Sequence, residues 1–327
     1  MRVSYSQASS TEADKLEGGP VYRDRLIALL QDDLDFHDES SCYSSHNFHS
    51  FPAKFPPQLP RRFILELTNP GEVVLDPMMG SGTTIVEAFL ASRRGLGLDI
   101  DPLALLLTKV KITPLNMQHV IRSGQTLLSR ARKKADRHGK QLLQALDRDS
   151  DPKTRDFINY WFAKRTQVEL QALITEITGI RDERIRSFFR LAFSSIIITK
   201  SGGVSLALDL AHTRPHRAKF LVSETGGYGP EGHRANKFTP RDRFLTKTLR
   251  SALDEFEKRY LRNLRDLPIS LPIEVPPMVL CGDAQIMPIG DETVDLIVTS
   301  PPYASNAIDY MRAHKFSLVW MGHPIDA

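Results

Sequence analysis

The chain has 327 residues, 41% hydrophobic and 25% charged, which suffices for one large domain or two small ones in an ordinary globular mixture. No apolar run is long enough for a membrane-crossing helix, the polar N-terminus MRVSYSQASSTEADKLEGG lacks the apolar segment of a secretory signal, and Cys42 and Cys281 have no metal-ligand spacing. These features argue against a secreted disulfide scaffold, a zinc module or a membrane span, and a cytoplasmic location is expected. The net charge of +4 hides an asymmetry: residues 111–275 hold 31 Lys/Arg against 18 Asp/Glu, and the remainder is net acidic. A basic middle segment suits a polyanionic partner, although a set of solvated basic helices would have the same composition.

In chain order, residues 1–18 are expected to be disordered. Residues 56–68 (PPQLPRRFILELT) predict a short helix opened by prolines. EVVLD (72–76) is a β-branched run read as a buried strand; a glycine turn follows, then TTIVEAFLASRR (83–94) with helical spacing. GLGLD (95–99) is the next strand and PLALLLTKVKI (102–112) the next helix, giving the βαβα start of an open parallel sheet. Residues 114–147, 154–180 and 182–200 predict helices from apolar positions three and four apart. Residues 201–240 read as a loop or arm, 241–265 as an amphipathic helix, and 268–277 as a proline-rich linker. Strands return at MVLCGD (278–283) and VDLIVTS (294–300), followed by a helix over 305–322.

The chemistry-bearing segments lie at strand ends. In VVLDPMMGSGTTIVEA (73–88), Gly80 and Gly82 sit between a strand and a helix, where glycine permits positive φ and close approach of a ligand to the backbone. No lysine follows the second glycine, and the third glycine of a dinucleotide fingerprint would fall at Ile85, so neither a P-loop nor a dinucleotide cradle is present. Asp99 ends the next strand, where a carboxylate can accept hydrogen bonds from both hydroxyls of a ribose. Asp283 ends a later strand at the same carboxyl edge and can accept from an adenine amino group. An isolated strand-end Asp is more often a turn or helix cap; three such features in register point to a nucleoside site.

VDLIVTSPPY (294–303) ends a buried strand in two prolines, which remove backbone donors and stiffen the turn. The carbonyls of Ser300 and Pro301 are left free to face a cleft, Pro302 stiffens it, and Tyr303 adds a flat ring. Together these suit a planar base held by stacking, with its amino protons accepted by the Ser300 hydroxyl and the Pro301 carbonyl. No Pro-Cys dipeptide occurs, which argues against methylation at cytosine C5 through a thiolate adduct.

On these residues the chain resembles the DNA amino-methyltransferase family. DPMMGSGTT (76–84), with Asp76, Gly80, Gly82 and Thr83, is similar to the family's glycine motif for S-adenosylmethionine. Asp99 matches the ribose-binding acid, Asp283 the adenine-binding position, and SPPY (Ser300, Pro301, Pro302, Tyr303) the catalytic motif. HSFPAKFPPQL (49–59) resembles the segment that folds over the methionine end of the cofactor, which places Phe55 and Pro56 near it. The resemblance implies an α/β, Rossmann-like S-adenosylmethionine-dependent fold and a site-specific DNA methyltransferase of a restriction-modification or related system, with a cognate nuclease as an expected companion. The serine form of the motif favours cytosine N4. Adenine-N6 methylation, an RNA amino-methyltransferase and a non-catalytic DNA-binding subunit with a vestigial cofactor pocket remain alternatives.

The expected division is a methyltransferase core over 19–112 and 276–327 and a basic, mainly helical insertion over 113–275, placed where the family does not usually carry its recognition element. Only four strands of the seven in the family sheet are expected, so the sheet is expected to be incomplete at its C-terminus and completed by further residues or by a second polypeptide. A base inside a duplex must be flipped out to reach such a cleft. The arm AHTRPHRAKF (211–220) and GHRANKFTPRDR (232–243) interleave basic and aromatic residues, making Arg214, Arg217, Lys219, Arg234, Lys237, Arg241 and Arg243 candidates for DNA contact. SRARKKADRHGK (129–140) is read as a solvated helix face, and Tyr160, Trp161 and Phe162 as core.

Overall fold

A computed structural model describes residues 20–51, 54, 56–200, 203–207, 217–220, 246–267, 276–302 and 310–326. Along the chain run α1 (Pro20–Gln31), α2 (Gln58–Leu67), β1 (Val73–Asp76), α3 (Thr83–Leu90), β2 (Arg94–Asp99) and α4 (Pro102–Lys111). They are followed by α5 (Met117–Asp149), α6 (Pro152–Trp161), α7 (Lys164–Thr178), α8 (Glu183–Ile197), β3 (Arg217–Phe220) and β4 (Thr246–Leu249). The described chain closes with α9 (Ala252–Arg265), β5 (Met278–Cys281), β6 (Leu296–Ile297) and α10 (Tyr310–Leu318). No helix among the described residues is long and apolar enough to cross a membrane, and Cys42 and Cys281 are exposed and unpaired.

The main sheet has the order β5-β2-β1-β6, and every pairing is parallel. The chain moves outward from β1 to β2 to β5, then returns to place β6 on the other side of β1. That reversal opens a crevice at the carboxyl ends of β1 and β6, where ligands of open parallel sheets bind. Asp76, Asp99, Asp283 and Ser300 lie at or just past the carboxyl ends of β1, β2, β5 and β6 respectively. Leu296 and Val74 are buried in one apolar cluster with Leu29 of α1, Ile64 and Leu67 of α2 and Ala88 of α3. Ile297, one residue on and therefore on the opposite face, is 57% exposed.

The helices that follow α4 share one hydrophobic core with it. Leu103, Leu107 and Val110 of α4 join the apolar faces of α5 to α9 and the Phe316 and Trp320 end of the chain. Within it, Phe189 meets Tyr260 edge-on at 5.5 Å, and a Cβ on Gly124 of α5 would press the Tyr260 ring at 2.7 Å. The described helices α5 to α9 therefore pack against α4 through apolar side chains. Trp161 and Phe162 belong to this core, but Tyr160 is 56% exposed. The basic tract on α5 is the solvated face expected of it, interrupted by non-helical backbone at His138.

Three sequence expectations are corrected. The helix expected over 154–180 is two helices, because Phe162 takes extended backbone (φ −131, ψ 127) and its carbonyl accepts the Gln167 amide at 2.8 Å. The helix expected over 241–265 starts only at Ala252, where the Ser251 hydroxyl caps it by accepting the Asp254 N–H. The segment before it, TKTL, is strand β4. It pairs in parallel with β3, inside the stretch expected to be a loop. That pairing joins residues about thirty positions apart, so local spacing carries no sign of it. The expected disorder of 1–18 and the linker over 268–275 lie outside the described residues.

Candidate active site

β1 delivers Asp76 into the crevice, and Pro77 ends the strand. The turn that follows requires its glycines: Gly80 has φ +47 and Gly82 has φ +73. Gly82 also packs against α4 so closely that a Cβ would overlap the Thr108 side chain. The Gly80 N–H donates to Asp99 Oδ2 at 2.8 Å, and a Cβ on Gly80 would lie 3.3 Å from the Phe51 ring. Behind the turn, the buried Lys111 ammonium donates to the Ser81 carbonyl at 2.6 Å. Burial pushes the Lys111 pKa far down, and the nearby Lys54 charge lowers it further. The turn is thus held from three sides by Asp99, Phe51 and Lys111.

A cavity of about 460 Å³ opens beside it. Asp76, Gly80, Thr83, Asp99, Asp283, Ser300 and Pro302 all line this one space, so seven residues chosen from sequence converge there. Phe51, Lys54, Ile100, Asp101 and Gln285 line it too and were not chosen. Asp101 carried a readable signal: D-x-D-P places a second acid at the helix cap, and its Oδ1 accepts the Leu103 N–H at 2.8 Å. Ile100, 72% exposed on the lip, had no local signature in the sequence, and Phe51 lies in the 49–59 segment but was not singled out within it.

The remaining candidates are placed differently. Gly82 stands behind the wall against α4. Pro301 is exposed beside the cavity. Pro56 lines a neighbouring hollow of about 680 Å³, which shares Lys54 and Thr83 with the first but contains none of the strand-end carboxylates and none of Ser300 to Pro302. The chemistry therefore belongs to the smaller cavity. Arg217 and Lys219 are on β3. Phe55, Tyr303, Arg214, Arg234, Lys237, Arg241 and Arg243 lie outside the described residues.

The wall is rich in carboxylates. Burial raises Asp76 from 3.8 to about 6, although its Oδ1 accepts the Thr299 hydroxyl at 2.8 Å and the Met78 N–H at 3.2 Å. Burial also raises Asp99, partly offset by the N–H groups of Asp101 and Gly80. Burial, the largest single influence, pushes Asp101 up as well, but the His314 bond and charge together with the Leu103 and Ala104 N–H groups outweigh it and leave the group below its ordinary value. Desolvation lowers Lys54, whose ammonium donates to the His46 carbonyl at 3.0 Å. An ionised carboxylate has about four acceptor positions. Asp99 spends two on backbone, which leaves capacity for ligand hydroxyls. Such a site favours a ligand with hydrogen-bond donors and positive charge.

A parallel sheet with a glycine turn, two acidic strand ends and a proline-stiffened strand end around one crevice defines a nucleoside-binding α/β protein. Residues 4–109 match the N6/N4 DNA methylase family model. Type II methyltransferase M.MvaI of Kocuria varians is 25% identical over 313 residues, covering 93% of this chain and 64% of its own length. Type II methyltransferase M.BsoBI of Geobacillus stearothermophilus is 22% identical over 294 residues, 85% of this chain and 53% of its own length. DNA adenine methyltransferase YhdJ of Escherichia coli is 37% identical over 59 residues, 18% of this chain and 20% of its own length. No solved structure matches. These similarities support the DNA amino-methyltransferase family, whose members depend on S-adenosylmethionine. It spans less than two thirds of the length of these curated relatives.

Proposed function

We propose that this chain binds S-adenosylmethionine in the 460 Å³ cavity and directs its methyl group to an exocyclic amino group of a DNA base, cytosine N4 by first choice. The observation that carries this reading is that Ser300 and Pro302 share one cavity with Gly80, Asp99 and Asp283. The residues present fit the cofactor. Gly80 leaves open the space that a Cβ would take beside Phe51, and Asp99 has acceptor capacity left for ribose hydroxyls. Asp283, which accepts the Gln285 N–H through Oδ1, keeps its other oxygen for an amino group. The buried Asp76 carboxylate adds negative potential to the wall. When bound, S-adenosylmethionine supplies a methyl group on a positively charged sulfur.

The rest falls to side chains of the chain itself. Ser300 accepts one amino proton of the target base on its hydroxyl oxygen, and the Pro301 carbonyl accepts the other. Both draw the nitrogen lone pair out of conjugation with the ring. Pro301 and Pro302 keep this edge rigid, which limits the reorganisation needed as charge develops. No protein nucleophile is needed. Tyr303 provides the stacking face, and the basic residues flanking and between β3 and β4 hold phosphates of the deformed duplex. We further place the chain in a restriction-modification or related system. Adenine N6 is the second reading, supported by the similarity to a relative named as a DNA adenine methyltransferase.

Single-turnover transfer of a labelled methyl group to duplex DNA and, in parallel, to tRNA and rRNA tests the substrate class. Label in DNA alone is expected. Label in RNA alone would replace the reading with an RNA amino-methyltransferase, and DNA binding without label in either would leave a non-catalytic subunit.

A further inference from the structure

His314 sits on α10, eleven residues beyond Tyr303, and is completely buried. Its Nδ1 contacts Asp101 Oδ2, and its Nε2 is buried with no hydrogen-bond partner among the described residues. That pattern assigns the proton to Nδ1, facing the carboxylate. One face of the imidazole meets the Phe51 ring, with centroids 4.8 Å apart and planes at 47°. Phe51 is in turn the group that a Cβ on Gly80 would touch. Asp101 and Phe51 both line the cavity, and His314 does not.

The backbone around His314 is fixed independently. Ser317 donates to the His314 carbonyl at 3.2 Å, Ser194 of α8 donates to Ser317 at 2.9 Å, and His49 contacts Ser194 at 2.8 Å. The ring is therefore held by α8 and α10, while its two functional edges address α4 and the segment carrying Phe51. A leucine could supply the apolar face but no donor to Asp101. Asp101 already caps α4 with its other oxygen, so the imidazole is not required for the cap itself.

We propose that His314 is a positioning residue for the cofactor cavity: its Nδ1–H orients Asp101, which lines the cavity, while its ring only packs on Phe51. This rests on the reading of the cavity as the S-adenosylmethionine site. Through it, the shape of the cofactor wall depends on the helix that follows the catalytic motif. A buried network of this kind sets geometry more tightly than either contact alone.

The test is calorimetric binding of S-adenosylhomocysteine to the full-length protein and to His314→Asn and His314→Leu, with unfolding midpoints measured alongside. Asparagine can place an N–H near the Nδ1 position. The expected result is binding within about threefold of the parent for His314→Asn and at least about tenfold weaker for His314→Leu, with Asp101→Asn and His314→Leu non-additive in combination. Unchanged binding by His314→Leu would overturn the proposal, as would equal losses in both variants. If the parent protein binds no S-adenosylhomocysteine, the cavity reading itself fails. The His314 contact is then judged by nitrogen-15 NMR of the unliganded protein. An imidazole N–H protected from exchange and shifted by Asp101→Asn supports it, and a freely exchanging ring overturns it.

Discussion

The Gly80 N–H and the Asp99 carboxylate are joined by a 2.8 Å hydrogen bond across the ends of β1 and β2. The glycine turn and the acidic strand end are consequently one unit. The same carboxylate accepts the Asp101 N–H through its other oxygen at 2.9 Å, and Asp101 then begins α4 and meets His314. A chain of polar contacts thus runs from the turn to α10, the helix that follows the SPPY segment.

Gly82→Ala is expected to destabilise the protein by about 2–4 kcal/mol, from positive-φ strain and from overpacking. Its φ of +73 disfavours any side chain, and the Cβ would overlap Thr108. Urea unfolding measures the loss. Adding Thr108→Ala should recover most of the steric part, since it removes Oγ1 and Cγ2 but keeps the Cβ at 2.9 Å, and leave the backbone part. A Gly82→Ala variant as stable as the parent contradicts this packing.

Asp76→Asn should be more stable than the parent at pH 8. The carboxyl is raised from 3.8 to about 6, so between those values the folded chain keeps a proton that the unfolded chain releases. Stability therefore falls as pH rises through that window, by roughly 3 kcal/mol in all. The Thr299 and Met78 bonds to Asp76 land on Oδ1, which asparagine retains, and the Thr84 hydroxyl also favours the ionised form. The advantage of the variant should vanish below about pH 4. Its affinity for S-adenosylhomocysteine should drop, because the negative wall group is gone. Unfolding curves from pH 4 to 8 check both the sign and the window.

His49→Gln should flatten the acid limb of the stability profile. Burial lowers His49 from 6.5 to about 3, with the facing His314 and Arg259 and Lys111 contributing in the same direction. The unfolded chain takes up this proton first, so stability present above pH 6.5 is lost as pH falls toward 3, by a few kcal/mol. Glutamine can keep a donor facing Ser194, which removes the titration without removing the contact. Equal steepness in the two proteins between pH 6.5 and 4 would show that another group governs acid unfolding.

Ser300→Ala is expected to slow methyl transfer by about 10–1,000-fold while changing the affinity for S-adenosylhomocysteine less than about threefold. In the proposed reading the hydroxyl serves the target amino group, and the cofactor contacts are assigned to Gly80, Asp99 and Asp283. Rapid-quench kinetics with a parallel binding isotherm separates the two effects. Loss of binding with an intact rate would move Ser300 to the cofactor side.

The strand–turn–helix units were legible because their signals are local: β-branched runs, glycines that need positive φ, and acids at strand ends. Asp76, Gly80, Asp99, Asp283 and Ser300 were found that way, and the fold brings them to one cavity. His314 was not, because a histidine on a helix looks the same whether or not it reaches a site, and Phe51 was legible only as part of the 49–59 segment. Their contact exists only once α10 packs beside α4. The β3–β4 pair failed for the same reason, since parallel pairing across a long connection leaves no periodicity in either segment. The split between α6 and α7 turns on Phe162 being buried in extended backbone, a tertiary preference that overrode continuous helical spacing.

The most direct test of the central claim is nucleoside mass spectrometry of plasmid DNA after incubation with the full-length protein and S-adenosylmethionine. N4-methylcytosine is the product this account predicts. N6-methyladenine would keep the family and the cavity but reverse the assignment made through Ser300, and DNA with no modified base would contradict the proposed activity.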